Sequence, residues 1–187
     1  MSTLAFTAMA TDRDLAWESA KRGDLAAFEA VMRRHERLVL ATALRLTGNL
    51  ADAQDASQEV FLRLYRNLSR LKESEEPAPW LYRVTVNVCH DLRRKRPAEG
   101  EKIDRAADEA DPQQRAMEEE RRRALELSLR MLPEKERAAL VLRDLEGLAT
   151  DEVARALGSS EATVRSQISK ARVKVRDFLE RYFRRRG

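Results

Sequence analysis

Residues 150–172 read TDEVARALGSSEATVRSQISKAR and contain the strongest local pattern of the chain. Ala154 is small where two helices must approach closely, and Gly158 follows four residues later, where a turn between helices favours a positive φ. Val164 and Ile168 come six and ten residues after Gly158, on the inner face of the second helix. This spacing predicts a helix-turn-helix, whose second helix enters the DNA major groove. An ordinary helical hairpin, which is the alternative, needs neither the small residue nor the glycine at these offsets.

The outer face of that second helix carries the side chains available to DNA, namely Thr163, Arg165, Ser166, Gln167, Ser169, Lys170, Arg172 and Lys174. Candidates for base edges are Ser166, Ser169 and Lys170, and candidates for phosphates are Arg165, Gln167, Arg172 and Lys174. Residues 159–187 hold 9 Lys and Arg against 3 Asp and Glu, which suggests a polyanionic partner, although a solvated basic face is an equal alternative on charge alone.

The composition predicts an all-α protein. Charged residues make up 36% of the chain, Gly and Pro number only 6 and 5, and the abundant residues are helix formers. Residues 98–115 are acidic and almost free of large apolar side chains, so they predict a flexible linker. Two small helical domains are therefore expected, over residues 12–97 and 116–187.

The apolar spacing predicts individual helices within both domains. Before the linker they run from about residue 12 to a turn at Gly48-Asn49, from about 51 to 71, and from near Trp80 to about 97. The β-branched run 84–86 is compatible with a strand, but its flanks favour helix. After the linker they cover 117–132, Pro133 to Gly147, a segment capped by Thr150, and a last helix capped by Ser159 or Ser160.

Two segments of the first domain point to binding. Asp52, Asp55 and Glu59 recur at three and four residues, which places three carboxylates on one helical face. No second element supplies converging ligands, so a docking face is expected there rather than a metal site. Trp80 and Tyr82 precede the basic run 93–96, a combination that suits single-stranded DNA, although packing of both rings in the core is the alternative.

Five motifs, taken in order, resemble a known family. DAQDASQEVFLRLY (52–65) and WLYRVTVN (80–87) are similar to region 2 of the extracytoplasmic-function (ECF) sigma factors of bacterial RNA polymerase. LPEKER (132–137), LRDLEG (142–147) and TVRSQISKAR (163–172) are similar to their region 4. The resemblance implies a transcription initiation factor that recognises promoters.

The family assigns a role to each segment. By resemblance, the β′ clamp of core RNA polymerase is held by Asp52, Asp55, Gln58 and Glu59. The minus-10 strand is captured by Trp80, Tyr82, Arg83, Asn87, Arg93 and Arg94. The second domain reads the minus-35 element with the eight residues named above and docks on the β flap. An anti-sigma factor is a further implied partner.

The sequence argues against catalysis. It has no Gly-rich phosphate loop, paired metal ligands or nucleophile–base arrangement, so neither catalytic residue, metal nor cofactor is expected. Its one cysteine, Cys89, is interpreted as a buried side chain. No apolar run approaches the roughly 20 residues that span a bilayer, and residues 1–10 do not read as a signal peptide. A cytoplasmic protein without membrane insertion is therefore expected, held at the membrane only through an anti-sigma factor.

A stand-alone helix-turn-helix regulator with a sensory N-terminal domain is the alternative. It explains residues 116–187 but leaves the motifs at 52–65 and 80–87 without a role.

Overall fold

The computed structural model describes residues 15–71, 77–95 and 112–185, and these ranges contain helices and turns without any strand. The all-α prediction is confirmed. The elements are α1 (Leu25–Thr47), α2 (Leu50–Asn67), a 3-10 turn (Leu68–Arg70), α3 (Pro77–Lys95), α4 (Pro112–Met131), α5 (Glu134–Leu140), a π-helical segment (Val141–Leu145), α6 (Thr150–Leu157) and α7 (Glu161–Arg184). Within these ranges no helix is both long and apolar enough to cross a membrane.

The helical stretch before Gly48 is divided at a position that the apolar spacing does not mark. Residues 15–21 are helical, and Gly23, with a φ of 94°, ends that turn. Asp24 then caps α1, because its carboxylate accepts from the backbone N–H groups of Ala26 and Ala27 at 2.9 and 3.1 Å. The predicted start at residues 12–14 lies outside the described residues.

The turn predicted at Gly48-Asn49 is confirmed. Gly48 adopts a φ of 80° and donates its N–H to the Leu44 carbonyl, which closes α1. Asn49 caps α2, since its side-chain oxygen accepts from the N–H of Asp52 at 2.7 Å. The next helix, α3, includes the β-branched run 84–86, where the Thr85 hydroxyl donates to the Leu81 carbonyl at 2.7 Å. The helical prediction for this run is therefore correct.

The first three helices enclose one apolar core. Val39 of α1, Val60 and Leu64 of α2, and Leu81 of α3 are all fully buried. Val60 and Leu64 are four residues apart, which places both on the inner face of α2. Truncating such a leucine to alanine costs about 2–5 kcal/mol, so this core holds α2 and α3 in fixed relation.

The second group of helices starts earlier than predicted, because α4 begins at Pro112, inside the range 98–115 assigned to the linker. The rest of that range, residues 98–111, lies outside the described residues, as do residues 1–11. Pro133 stands immediately before α5, where its missing N–H costs nothing. A π-helical segment continues α5, and Gly147 ends it with a φ of 79°.

The caps of the last two helices were predicted with mixed success. Thr150 is the first residue of α6 rather than its cap, so that prediction is wrong. The Glu152 carboxylate reaches back instead and accepts from the N–H of Ala149 at 2.6 Å. Ser160 caps α7 as predicted, since its hydroxyl accepts from the N–H of Thr163 at 3.2 Å.

The two groups of helices pack against one another through Arg137 of α5, which is 2% exposed. Its guanidinium donates to the Leu46 carbonyl of α1 at 2.9 Å, and to the carbonyls of Arg130 and Leu132 at 2.8 and 3.0 Å. These carbonyls lie at helix ends, where intrahelical partners are missing. One side chain thus satisfies acceptors from both groups. The two groups also meet where α3 contacts α6.

Candidate nucleic-acid interface

Helices α6 and α7 form the predicted helix-turn-helix. Gly158 has a φ of 58° and the N–H of Ser159 donates to the Ala154 carbonyl at 2.9 Å, so the chain turns from α6 into α7 within three residues. Ala154 is 6% exposed against the neighbouring helix, and Val164 and Ile168 are buried on the inner face of α7. A bulky residue at position 154 would push the two helices apart.

The predicted DNA-facing residues of α7 share one outward face. Exposed members are Thr163, Arg165, Ser166, Ser169, Lys170, Arg172 and Lys174. Gln167 is half-buried, and its Oε1 is buried without a hydrogen-bond partner among the described residues. The helix therefore offers a continuous polar surface with cations on it, which is the arrangement that major-groove readout requires.

Two of these cations also tie α7 to the preceding elements. Arg172 donates through Nε and Nη2 to the Asp144 carboxylate at 2.8 and 2.6 Å, and this bidentate pair raises the pKa of Arg172. Lys174 donates to both oxygens of Glu136 at 3.0 and 2.8 Å. Exposed pairs of this kind stabilise a fold by about 0–1 kcal/mol, so they orient the cations more than they hold the helix.

A basic cleft lies between the π-helical segment and α7. It is lined by Arg143 and Thr150 on one side and by Arg165, Arg172 and Arg176 on the other. Arg143 and Thr150 have no predicted DNA role, because they precede the recognition helix and share no helical periodicity with it. The LRDLEG motif at 142–147 was the available signal.

The acidic face predicted on α2 is present and continues into apolar side chains. Asp55 and Gln58 are exposed, whereas Asp52 and Glu59 are half-buried. Asp52 accepts from the Asn49 amide at 2.7 Å, and Glu59 accepts from Arg63 at 2.7 Å. Leu62 and Tyr65, at 49% and 52% exposure, extend the same face. Neither residue has a predicted binding role, because apolar residues at helical spacing usually lie in the core.

The predicted minus-10 residues on α3 are distributed between surface and interior. Arg83, Asn87 and Arg94 are exposed, while Trp80 and Arg93 are half-buried. Tyr82 is 8% exposed and donates its hydroxyl to Glu146 at 3.5 Å. Burial, followed by the negative charge of Glu146, raises the pKa of Tyr82 to about 12. The alternative of core packing therefore describes the Tyr82 ring in this conformation.

Glu146 joins the two halves of the site. Its side chain is 9% exposed and accepts from Arg45 of α1 as well as from Tyr82 of α3. Sequence reasoning did not single out Glu146 or Arg45, which are 101 positions apart. The groove around this contact is lined by Trp80, Tyr82, Arg83, Glu146, Leu148, Glu152 and Arg155.

Comparison with known families assigns both halves. Residues 31–98 match the Sigma-70 region 2 model and residues 122–175 match the Sigma-70, region 4 model. The chain is 32% identical over 158 residues to the ECF RNA polymerase sigma factor SigM of Mycobacterium tuberculosis, covering 84% of this chain and 79% of that protein. The chain belongs to the ECF sigma factors. Region 2 thus contains the acidic face and the α3 residues, and region 4 contains the helix-turn-helix.

Two further comparisons agree with this family. The chain is 36% identical over 169 residues to the ECF sigma factor SigE of Mycolicibacterium smegmatis, covering 86% of this chain but 65% of that longer protein. Its fold is similar to that of CnrH, solved in complex with the cytosolic domain of CnrY, with a TM-score of 0.69 and 27% identity over 89% of this chain and 96% of that one.

Proposed function

We propose that this ECF sigma factor binds core RNA polymerase and directs promoter-specific transcription initiation. Region 2 captures the single-stranded minus-10 element and region 4 reads the minus-35 element as duplex DNA. The observation that carries the proposal is the exposed polar face of α7 on a formed helix-turn-helix, in a chain that also matches region 2. Membership of the family supports both assignments.

The α2 face supports the polymerase contact. Asp55 and Gln58 present polar groups beside the exposed Leu62 and Tyr65, which form an apolar surface rimmed by charge. Such a surface is typical of protein–protein interfaces, where aromatic and aliphatic side chains are the anchors. We assign this face to the β′ clamp, with Asp52 and Glu59 at its margin, and we assign docking on the β flap to region 4.

The minus-35 contact follows from the chemistry of α7. Lys170, Ser166 and Ser169 are exposed on the groove-facing side and can donate to base edges. Arg143, Arg165 and Arg176, which line the adjacent cleft, provide sequence-independent attraction to phosphates. Polymerase fixes the spacing of regions 2 and 4, so the second DNA contact becomes intramolecular and two weak contacts combine into a strong one.

The proposal includes a protein inhibitor and a location. The similar protein CnrH was solved with the cytosolic domain of CnrY bound, and the family resemblance implies an anti-sigma factor for this chain. Action on polymerase and promoter DNA places the protein in the cytoplasm, at the membrane only when an anti-sigma factor holds it there. Recruitment and strand capture involve no bond-making step, so no catalytic residue is assigned.

A stand-alone regulator is not favoured. That alternative assigns no role to residues 31–98, which match region 2, or to the polar and apolar face of α2. It also predicts tight, specific binding to duplex DNA without polymerase.

Run-off transcription tests the proposal. Core RNA polymerase is combined with the protein and a promoter library, and the transcripts are sequenced. We expect initiation at sites that share two short elements. Asn87→Ala is expected to lose this initiation, and Lys170→Ala is expected to lose the preference for one minus-35 sequence. Lys135→Ala, which removes a charge from an exposed position on α5, is the control and is expected to initiate normally. Specific duplex binding by the protein alone, without initiation, contradicts the proposal.

A further inference from the structure

The contact between regions 2 and 4 places a carboxylate in a site built for an anion. Arg45 lies in the last turn of α1, where the partial negative charge of the helix end favours a cation. Its guanidinium donates to one oxygen of Glu146, and the Tyr82 hydroxyl donates to the other at 3.5 Å. The Glu146 side chain is 9% exposed, so this carboxylate is largely removed from water and depends on these two donors.

Arg45, Tyr82 and Glu146 lie where the proposed minus-10 strand would pass. Tyr82 and Arg83 are predicted minus-10 residues, and both line the groove in which Glu146 sits. Arginine and a phenolic hydroxyl are the donors that bind backbone phosphates, because a phosphate offers the same paired anionic oxygens as a carboxylate. Region 4 thereby covers a part of region 2 that a DNA strand would have to reach.

Resting on the proposed function, we propose that Arg45 and Tyr82 form a phosphate site on region 2. In the free protein Glu146 of region 4 fills this site, and a backbone phosphate of the single-stranded minus-10 element fills it once region 4 moves away. Glu146 thus acts as an internal competitor of DNA, and Arg45 is an additional DNA contact on α1.

Two substitutions distinguish a phosphate-binding site from an ion pair that only holds regions 2 and 4 together. Glu146→Gln and Arg45→Gln both remove the ion pair and weaken the closed contact. Only Glu146→Gln leaves the cation of the phosphate site in place. Glu29→Gln and Arg33→Gln are matched controls, because they make the same charge changes in an exposed ion pair of α1. In that pair Arg33 Nη1 lies 2.9 Å from Glu29 Oε1.

The probe is a fluorescein-labelled pool of random single-stranded 15-nucleotide DNA, titrated with the full chain and read by anisotropy. We expect Glu146→Gln to bind about 5- to 30-fold more tightly than Glu29→Gln, the range that follows from losing a contact of ordinary strength. The double variant Arg45→Gln/Glu146→Gln is expected to lose this gain. Its plot of log affinity against log salt is expected to be shallower than that of Glu146→Gln by about 0.7, the value for one phosphate on single-stranded DNA.

Two results would overturn the inference. Equal affinities for Glu146→Gln and Glu29→Gln show that Glu146 does not compete with DNA. Equal affinities for the double variant and Glu146→Gln show that Arg45 is not a phosphate ligand. Circular dichroism melts of each variant verify folding, and the controls on α1 provide the reference if one variant is destabilised.

Run-off transcription with the wild-type chain keeps the two proposals distinguishable. Initiation together with unchanged DNA affinities refutes the phosphate site and leaves the sigma function in place. The expected affinity pattern without initiation refutes the proposed function and leaves the phosphate site in place.

Discussion

Arg137→Met removes the side chain that satisfies carbonyls of both regions. Methionine keeps most of the apolar stem, but the carbonyls of Leu46, Arg130 and Leu132 lose their donor. An unsatisfied buried acceptor costs about 1–3 kcal/mol, so three such losses are large against the stability of a small domain. The variant therefore tests how much of the packing between regions 2 and 4 depends on one guanidinium.

Part of this loss of stability is offset, because the substitution removes a buried charge. Burial, with help from the charge of Arg93, lowers the pKa of Arg137 from 12.5 to about 10. That shift corresponds to a free-energy cost of roughly 3 kcal/mol for keeping the buried guanidinium charged. Methionine has no charge and does not incur this cost. We expect a net loss of about 3 kcal/mol in the free energy of unfolding, or about 6–12 °C in Tm for a chain of this size.

Thermal and urea unfolding followed by circular dichroism at the helical band measures this loss. Arg121→Met, at an exposed position on α4, is the control and is expected to stay within about 0.5 kcal/mol of wild type. A loss below about 1 kcal/mol for Arg137→Met would refute the reasoning, because the three bonds would then contribute no more than the burial of the charge costs.

Three other predictions concern the recognition helix, the Tyr82 hydroxyl and the Cys89 thiol. Lys170→Ala is expected to relax sequence preference at the minus-35 element, whereas Arg172→Ala is expected to weaken binding to all sequences equally and to leave Asp144 without its bidentate partner. Competition binding on variant duplexes measures both effects. A uniform loss of affinity in Lys170→Ala contradicts the base-edge assignment. Because the pKa of Tyr82 is raised from 10.0 to about 12, the unfolded state ionises first, and the free energy of unfolding is expected to fall as pH rises from about 10 to about 12. Urea midpoints across that window should fall less steeply in Tyr82→Phe, and identical slopes would show that the hydroxyl is not shielded. Burial raises the pKa of the Cys89 thiol to about 12, so a disulfide reagent should label it only in urea; rapid stoichiometric labelling of the native protein would contradict this.

Much of the secondary structure could be predicted because its causes are local. A glycine at position 48 or 158 permits the positive φ that ends a helix, and Ser160 presents its hydroxyl to an N–H three residues on. Burial of Val164 and Ile168 follows from helical periodicity around that turn. The residues of α7 that do not point inward form its outward face, so the candidate DNA surface could also be predicted.

Local causes were also missed where two signals competed. Gly23 and Asp24 divide the first helical stretch, although the apolar spacing continues through them. Thr150 is a good capping residue by type, but Glu152 supplies the cap from inside the helix. Nothing in the sequence marks the π-helical turn at Val141–Leu145, because a single π turn differs from an α turn in its i→i+5 hydrogen bonding, as from the Glu146 N–H to the Val141 carbonyl at 2.9 Å, and not in its residue types.

Most helices, the helix-turn-helix and the charge of its recognition face follow from local sequence patterns. The positions of Arg137, Arg45 and Glu146 follow only from the folded chain, since their contacts join residues 91 and 101 positions apart. A helix end leaves carbonyls to be satisfied, but the sequence does not say which distant donor reaches them. The same holds for Tyr82, whose type suits both stacking on a base and packing in a core. Its environment is set by the helix that packs against it, and no spacing along the chain records that choice.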